Sequence, residues 1–473
     1  IRGMGTDEVG WVYNGVPVND IGTGGFYANQ TSDGDNLDSV TLTPGSTDLD
    51  TPTVMASAGT AYANLINPSH RRGGMLNFSY GSYNMNRQFI RLESGDIGNS
   101  GVRGFVSFSN THSDDWRGPG VNVRRHVDFK LVKDISPDSK TSLTVSYNNN
   151  SLQKDLYPTK AQFETLGNYN YSKDFNGSTN YYRLHSDPLQ NIVVSAPTSL
   201  KLSEHFHFDD TPYFWWGKGG PGAASILQQG KTYSGNSLTD VNLGVENGQQ
   251  VVAYTPIYYN YYKAGNLAKL SYTTGNNMVY GGWWYEWSST VQSTPVSSVN
   301  QTTGEPDSHW GYNSYIFNDA SGSPYYANHH DTLTQINMLF LGDKLTLLHG
   351  HLELDAGLRF TMMHRAVDSY VPNMQQKRGQ NYAEPLPQFT ARYKFNENHE
   401  MYIMGTTSFK PPYNSTLFEM YSPTSGKMTS APSLLNPEYS IEEEIGYRFN
   451  NSFMSADVSF FNYNFTNRQL TLN

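Results

Sequence analysis

From about Met75 onward the chain alternates apolar and polar positions with a period of two. Leu352, Leu354, Ala356, Leu358 and Phe360 interleave with His351, Glu353, Asp355, Gly357 and Arg359. Successive side chains of a strand point to opposite faces, so this segment has one apolar and one charged face. Val127, Phe129 and Leu131 interleave in the same way with His126, Asp128 and Lys130. Phe389, Ala391, Tyr393 and Phe395 do so with Gln388, Thr390, Arg392 and Lys394, and Ile441, Ile445 and Tyr447 with Glu442, Glu444 and Arg448. The pattern predicts roughly 14–16 strands after Met75. Their connections come in two lengths. Ser136-Pro137-Asp138-Ser139 and Phe395–His399 read as tight turns, whereas about 152–196, 209–262, 291–328 and 366–385 read as long loops rich in Tyr, Asn, Gly, Ser and Pro. Short turns on one rim and long loops on the other characterise an outer-membrane barrel. A soluble sandwich has shorter loops at both ends.

Residues 1–74 differ. They are rich in Gly, Asp, Thr and Ser, with short strand-like pieces at Gly10–Tyr13 and Val40–Leu42. Asn14-Gly15, set between Val12-Tyr13 and Val16-Pro17-Val18, predicts a hairpin. The expected division is a small mixed domain over 1–74 and a barrel over 75–473.

Composition narrows the class. The 473 residues are 37% hydrophobic and 14% aromatic, with 34 Tyr, 23 Phe and 8 Trp; mean hydropathy is -0.58. Disordered chains lack such aromatic content. No run approaches the roughly 18 apolar residues of a transmembrane helix; the densest cluster, Ile336–Leu341, is strand-sized. The absence of cysteine excludes disulfides, thiolate metal sites and a cysteine nucleophile. A net charge of -10 argues against nucleic acid as a partner. No HExxH, phosphate-binding glycine motif or nucleophile elbow is present, so enzyme activity is not expected. Two readings survive: a soluble or surface-anchored β-rich adhesin, and an outer-membrane barrel with a polar lumen.

The order of short motifs bears on that choice. Ile1-Arg2-Gly3-Met4-Gly5 followed by Val12–Val18 resembles the plug pattern of TonB-dependent outer-membrane receptors, with Asn14 where that family often has Asp. Val40–Gly45 resembles a later plug strand, although the acidic and Arg-Gly-Pro elements usual there are missing. Gly73-Gly74 and Phe78–Tyr83 resemble the start of the first barrel strand. Thr407–Pro412 resembles a Ser-Phe-x-x-Pro strand end, and Asn436-Pro437-Glu438 with Glu443–Tyr447 resembles an Asn-Pro … Glu-x-Gly-Tyr element. Each motif is weak alone; their order spans the chain.

The resemblance implies a mainly β fold: a transmembrane antiparallel β-barrel of the 22-stranded type with a small mixed α/β plug domain in its lumen. It implies a TonB box and earlier plug strands before Ile1, and closing strands after Asn473; Leu470–Asn473 stop inside an apparent strand. It also implies a monomer in bacterial outer-membrane lipid, driven by the TonB–ExbB–ExbD complex and importing a scarce ligand without a cofactor. The family's commonest cargo, a ferric siderophore, is the expected ligand; an oligosaccharide or other nutrient is the alternative. A plug held by polar lumen contacts is expected, because it can shift more readily than one held by a dry core.

Candidate ligand contacts are the aromatic-rich stretches, which offer stacking area with polar edges. Tyr213, Phe214, Trp215 and Trp216 form the densest, read as a loop, and Tyr258 and Tyr259 another. Phe26 and Tyr27 end the glycine-rich stretch Ile21–Tyr27, a candidate apical loop. Arg71 and Arg72 form a basic spot that could meet an anionic ligand. Trp283, Trp284 and Trp287 read as interfacial girdle residues. Asp33, Asp35 and Asp38, the pair His205 and His207, and His329-His330 in a predicted loop are read as polar lumen or rim groups, and no metal is assigned to them.

Overall fold

The computed structural model describes all residues except Ile21, Ser32, Ser46, 167–169, 311–314, Ser430, Pro432, Ser433 and 470–473. The predicted ending within Leu470–Asn473 lies outside the described residues. A sixteen-stranded antiparallel sheet dominates, fifteen of its strands forming a meander from Arg72–Gly81 to Ser455–Thr466 and the sixteenth, Thr198–Lys201, continuing Ser186–Ser195 between the same two neighbours. Its strands pair in chain order, apart from excursions that form small sheets of their own. Among the described residues no pairing joins the first strand to the last.

Burial along these strands is inverted relative to a soluble sheet. His126, Asp128 and Lys130 are buried, as are Glu442 and Glu444, while Leu143, Phe360, Ile441 and Ile445 are exposed. Leu341 and Leu358 are paired neighbours exposed at 63% and 45%. A continuous apolar outer face with polar groups inside is the arrangement a bilayer demands.

The predicted tight turns occur, at Ser136–Ser139 and between Lys394 and His399. The predicted long loops are shorter than read. The strand Phe206–Gly219 runs through Tyr213–Trp216, and the strands Leu352–Ser369 and Lys377–Lys394 leave only seven residues between them, 370–376. His329 and His330 lie in the 22-residue strand Tyr326–Leu347 rather than in a loop. Only about 9–11 residues span the hydrocarbon layer, so these strands project beyond it. There neither face meets lipid, and the alternation that betrays a strand fades. The remaining excursions carry apolar cores: Leu227, Val241, Val251, Ala253 and Val296 in one, Leu184, Val252 and Tyr254 in another. The strand Gln250–Tyr254 supplies alternate residues to both.

Inside the meander sits a four-stranded sheet in the order Val16–Pro17, Val9–Tyr13, Gly59–Leu65, Leu37–Pro44. The hairpin predicted at Asn14-Gly15 forms, with φ of 47° and 83° at those residues, as a primed turn requires. The Asn14 side-chain oxygen accepts from the Leu65 N–H at 2.9 Å, which ties the hairpin to the neighbouring strand.

Polar contacts anchor this inner sheet around the lumen. Arg124 pairs with Asp33 at 2.8 Å and Arg87 with Asp35 at 2.6 Å. Lys130 reaches the Leu65 carbonyl at 2.9 Å, Lys269 reaches Asp50 at 2.9 Å, and Arg2 reaches Glu444 at 2.7 Å. The expected polar contacts are thus present, but an apolar core accompanies them. Tyr13, Val16, Val18, Leu49 and Leu65 share one buried cluster with barrel residues including Phe105, Trp215, Trp284, Met338 and Phe409. Trp284 is 1% exposed and points inward, against the girdle role read for it, whereas Trp283 points outward. Adjacent strand residues must diverge in this way, since their faces alternate.

Candidate ligand-binding site

The segment after the inner hairpin is shaped by two side chains. Asn19 accepts from the Trp11 N–H at 2.7 Å and donates to the Val9 and Gly24 carbonyls, both at 2.8 Å. Asp20 Oδ1 accepts from the Gly22 and Thr23 N–H groups at 3.0 and 2.7 Å and from the Thr23 hydroxyl at 2.8 Å. Such local bonding is what makes Asx residues turn formers. The Gly24 N–H returns to the Asp20 carbonyl at 2.8 Å. The result is a compact loop that ends in Phe26, stacked on Trp11 at 4.0 Å, and Tyr27, which is exposed.

This loop floors a chamber of about 330 Å³ on the long-loop side of the molecule. Tyr27, Tyr259, Tyr261, His330 and Phe418 supply its aromatic lining; Asp20, Asp187, Gln30, Gln292 and Asn414 supply polar groups. His330 lies against Phe418 with ring centroids 3.8 Å apart. The Asn414 N–H donates to the Gly22 carbonyl at 3.0 Å, joining the strand end beyond Lys410 to the loop. Partial burial and the nearby Asp20 carboxylate raise the half-exposed Tyr27 phenol above its ordinary value. Flat rings with a few converging polar groups suit a compact amphipathic ligand.

Residues 138–473 match the family described as TonB dependent receptor-like, beta-barrel. The chain belongs to that family. Solved structures agree on the fold. The unliganded ferric citrate transporter FecA superposes with a TM-score of 0.69 at 16% identity, covering 98% of this chain and 63% of that one. The ferric yersiniabactin uptake receptor FyuA from Yersinia pestis gives 0.68 at 13% identity, covering 98% and 64%. The ferripyoverdine receptor of Pseudomonas aeruginosa, solved with ferripyoverdine bound, gives 0.68 at 16%, covering 99% and 58%. The chain thus spans less than two thirds of each of these structures. No curated protein matches it. TonB-dependent receptor barrels are outer-membrane proteins of bacteria and transport receptors rather than enzymes, and the apolar outer face described above is the surface that location requires.

In this TonB-dependent receptor barrel the aromatic candidates separate. Tyr27 and Tyr259 meet at the chamber. Tyr258 is buried at the start of its strand and does not line it. Tyr213 and Trp215 face inward below the chamber. The Tyr213 hydroxyl donates to Glu286 at 2.6 Å and accepts from the Trp284 indole at 2.8 Å, and Lys263 lies 4.9 Å above the Trp215 ring. Phe214 is exposed on the outer face, and the Trp216 indole donates to Asn260 at 3.2 Å. Tyr213–Trp216 are therefore strand residues, not the loop the sequence suggested. Arg71 and Arg72 are exposed at the short-turn rim, opposite the chamber, where Arg72 pairs with Ser94. Asp33 and Asp35 are engaged by arginines, as described above. His207 contacts Ser199 at 2.7 Å. Asp20, Asp187, Gln30 and Asn414 were missed. They come from three distant parts of the chain, Asp20 and Gln30 sharing one, and no local spacing links the three.

Proposed function

We propose that this protein is a TonB-dependent outer-membrane receptor that takes up a ferric siderophore. The supporting observation is the chamber itself: an aromatic, oxygen-lined cavity on the long-loop side, floored by an inner domain that fills the lumen. Ligand resting on Tyr27, Tyr259 and the Gly22–Thr23 backbone touches that inner domain directly, so occupancy is readable by the element that must move. In this reading residues 1–74 belong to the plug and 75–473 to the barrel. The TonB–ExbB–ExbD complex draws on the plug from the periplasmic side, and the receptor acts as a monomer. The three superposed proteins are receptors or transporters of ferric citrate, ferric yersiniabactin and ferripyoverdine, which makes a ferric complex the preferred cargo class.

The test is growth and radiolabelled-iron uptake by a deletion strain under iron limitation, supplied with ferric hydroxamate, catecholate and carboxylate complexes. Loss of uptake of one complex, restored by the intact gene and not by a Tyr27→Ala/Tyr259→Ala variant, supports the reading. Normal iron uptake, combined with lost growth on an oligosaccharide, would sink it in favour of sugar import.

A further inference from the structure

The charge of the chamber is one-sided. Among the described lining residues no lysine or arginine occurs, while two carboxylates, Asp20 and Asp187, do. Asp20 uses Oδ1 for its loop, and no donor among the described residues reaches Oδ2. No hydrogen bond or ion pair among the described residues engages the Asp187 carboxylate. A third acceptor joins them: Asn414 is 8% exposed, and its side-chain oxygen is buried without a partner. A buried acceptor without a donor is costly, so the Asn414 oxygen marks a place where a donor is missing.

The surrounding cations lie behind the wall and hydrogen-bond to other acceptors, although Arg365 and Lys263 are near enough to feel the Asp20 charge and Lys154 that of Asp187. Arg365, beneath Asp20, is fully buried and donates to the Pro412 carbonyl and to Thr334. Lys263 serves the Pro17 carbonyl and Glu286. Lys154, beyond Asp187, points to the Gly222 carbonyl at 3.5 Å, and Arg124 pairs with Asp33. An anionic ligand would enter a partly desolvated space between two carboxylates with no cation on the wall. A ligand with an ammonium or guanidinium group would supply charge-assisted hydrogen bonds to those same carboxylates and to Asn414, and the Tyr27 and Tyr259 rings line the same space, where a cation can meet them.

We propose that the chamber selects ligands bearing a cationic group and discriminates against anionic ones. This rests on the uptake reading above and adds the charge class of the cargo. The probes are a ferric trihydroxamate carrying a free ammonium arm, the same complex with that amine acetylated, and a trianionic ferric tricatecholate. Each is titrated against the protein in outer-membrane vesicles by tryptophan fluorescence quenching. The ammonium form is expected to bind about 10-fold tighter than its acetylated twin, and the tricatecholate weakest. Asp187→Asn, which removes a charge without breaking a hydrogen bond, should shrink the ammonium advantage; adding Asp20→Asn should abolish it, with the acetylated complex unaffected. If the acetylated or trianionic complex binds as tightly as the ammonium form, the charge assignment is wrong while ferric uptake stands. If none of the three binds, this inference falls, and the ferric reading falls with it only if the uptake assay also shows no ferric cargo.

Discussion

Lys263, on a barrel strand, donates from Nζ to the main-chain carbonyl of Pro17 in the inner sheet at 3.0 Å. The same ammonium lies 3.6 Å from Glu286, and both side chains are almost fully buried. Removing one member of a buried pair strands the other charge, at a cost of about 3–5 kcal/mol. Lys263→Met should therefore destabilise the docked inner sheet by that order. Lys263→Met/Glu286→Gln should recover much of the loss. Urea titration of both variants, read by protease cleavage within residues 1–66, checks this; equal loss in the single and double variants would contradict it.

Asp7 makes a second anchor, accepting from Lys410 and from the Tyr413 hydroxyl, each at 2.5 Å. Burial alone would raise its carboxyl, but these two donors outweigh burial and hold it below the ordinary carboxylate value. A depressed folded-state value means that the stabilisation is present above the unfolded value and is lost as pH falls through the folded one. The anchor should thus be constant near neutrality and weaken only below the ordinary carboxylate range. Hydrogen exchange of residues 5–13, followed from neutral pH into acid, should show an opening that Asp7→Asn displays already at neutral pH. An identical acid profile in wild type and variant would refute the anchor.

Particular residues show what the sequence made legible. Leu352–Phe360 announced a two-faced strand because one face meets lipid and the other the lumen. Asn14-Gly15 announced a hairpin because its backbone angles admit few residues. Tyr213–Trp216 misled for a physical reason: Tyr213 and Trp215 point inward and Phe214 outward, so aromatic side chains occupy both faces and leave no alternation to read. Pro212 lies inside the Phe206–Gly219 strand, a place where proline argues against a strand. The chamber was the least legible feature. Asp20, Asp187, His330 and Asn414 converge only through the meander, and long-range register is not written in local spacing.

The Gly22–Tyr27 loop depends on one backbone position. Gly24 has φ +74°, and a Cβ there would sit 2.5 Å from the Met55 sulfur and 3.2 Å from the Asp7 carbonyl. A side chain in this region costs about 1–3 kcal/mol, and the contact with main-chain oxygen cannot relax by rotamer change. Gly24→Ala should displace Tyr27 and weaken ligand binding about 10-fold while leaving the barrel intact. Vesicle titration together with heat-modifiable gel mobility separates the two effects. Unchanged affinity would show that the loop does not floor the ligand site.

The outer face admits a test of membrane burial that is independent of any ligand. Leu341 lies six positions from the end of its strand at Leu347, beside the short turn. At roughly 3.3 Å per residue and a tilt near 40°, that places it about 15 Å above the rim, close to the bilayer centre. Its partner Leu358 points the same way. An arginine at the midplane of a barrel's lipid face costs about 2–4 kcal/mol, whereas an exposed surface substitution in a soluble sheet stays within about 0.5 kcal/mol. Leu341→Arg should therefore lower the unfolding free energy in phosphatidylcholine vesicles by the larger amount, and Leu341→Lys should behave alike. Urea unfolding read by tryptophan fluorescence provides the measurement. A transition unmoved by either variant would mean that this face does not contact lipid.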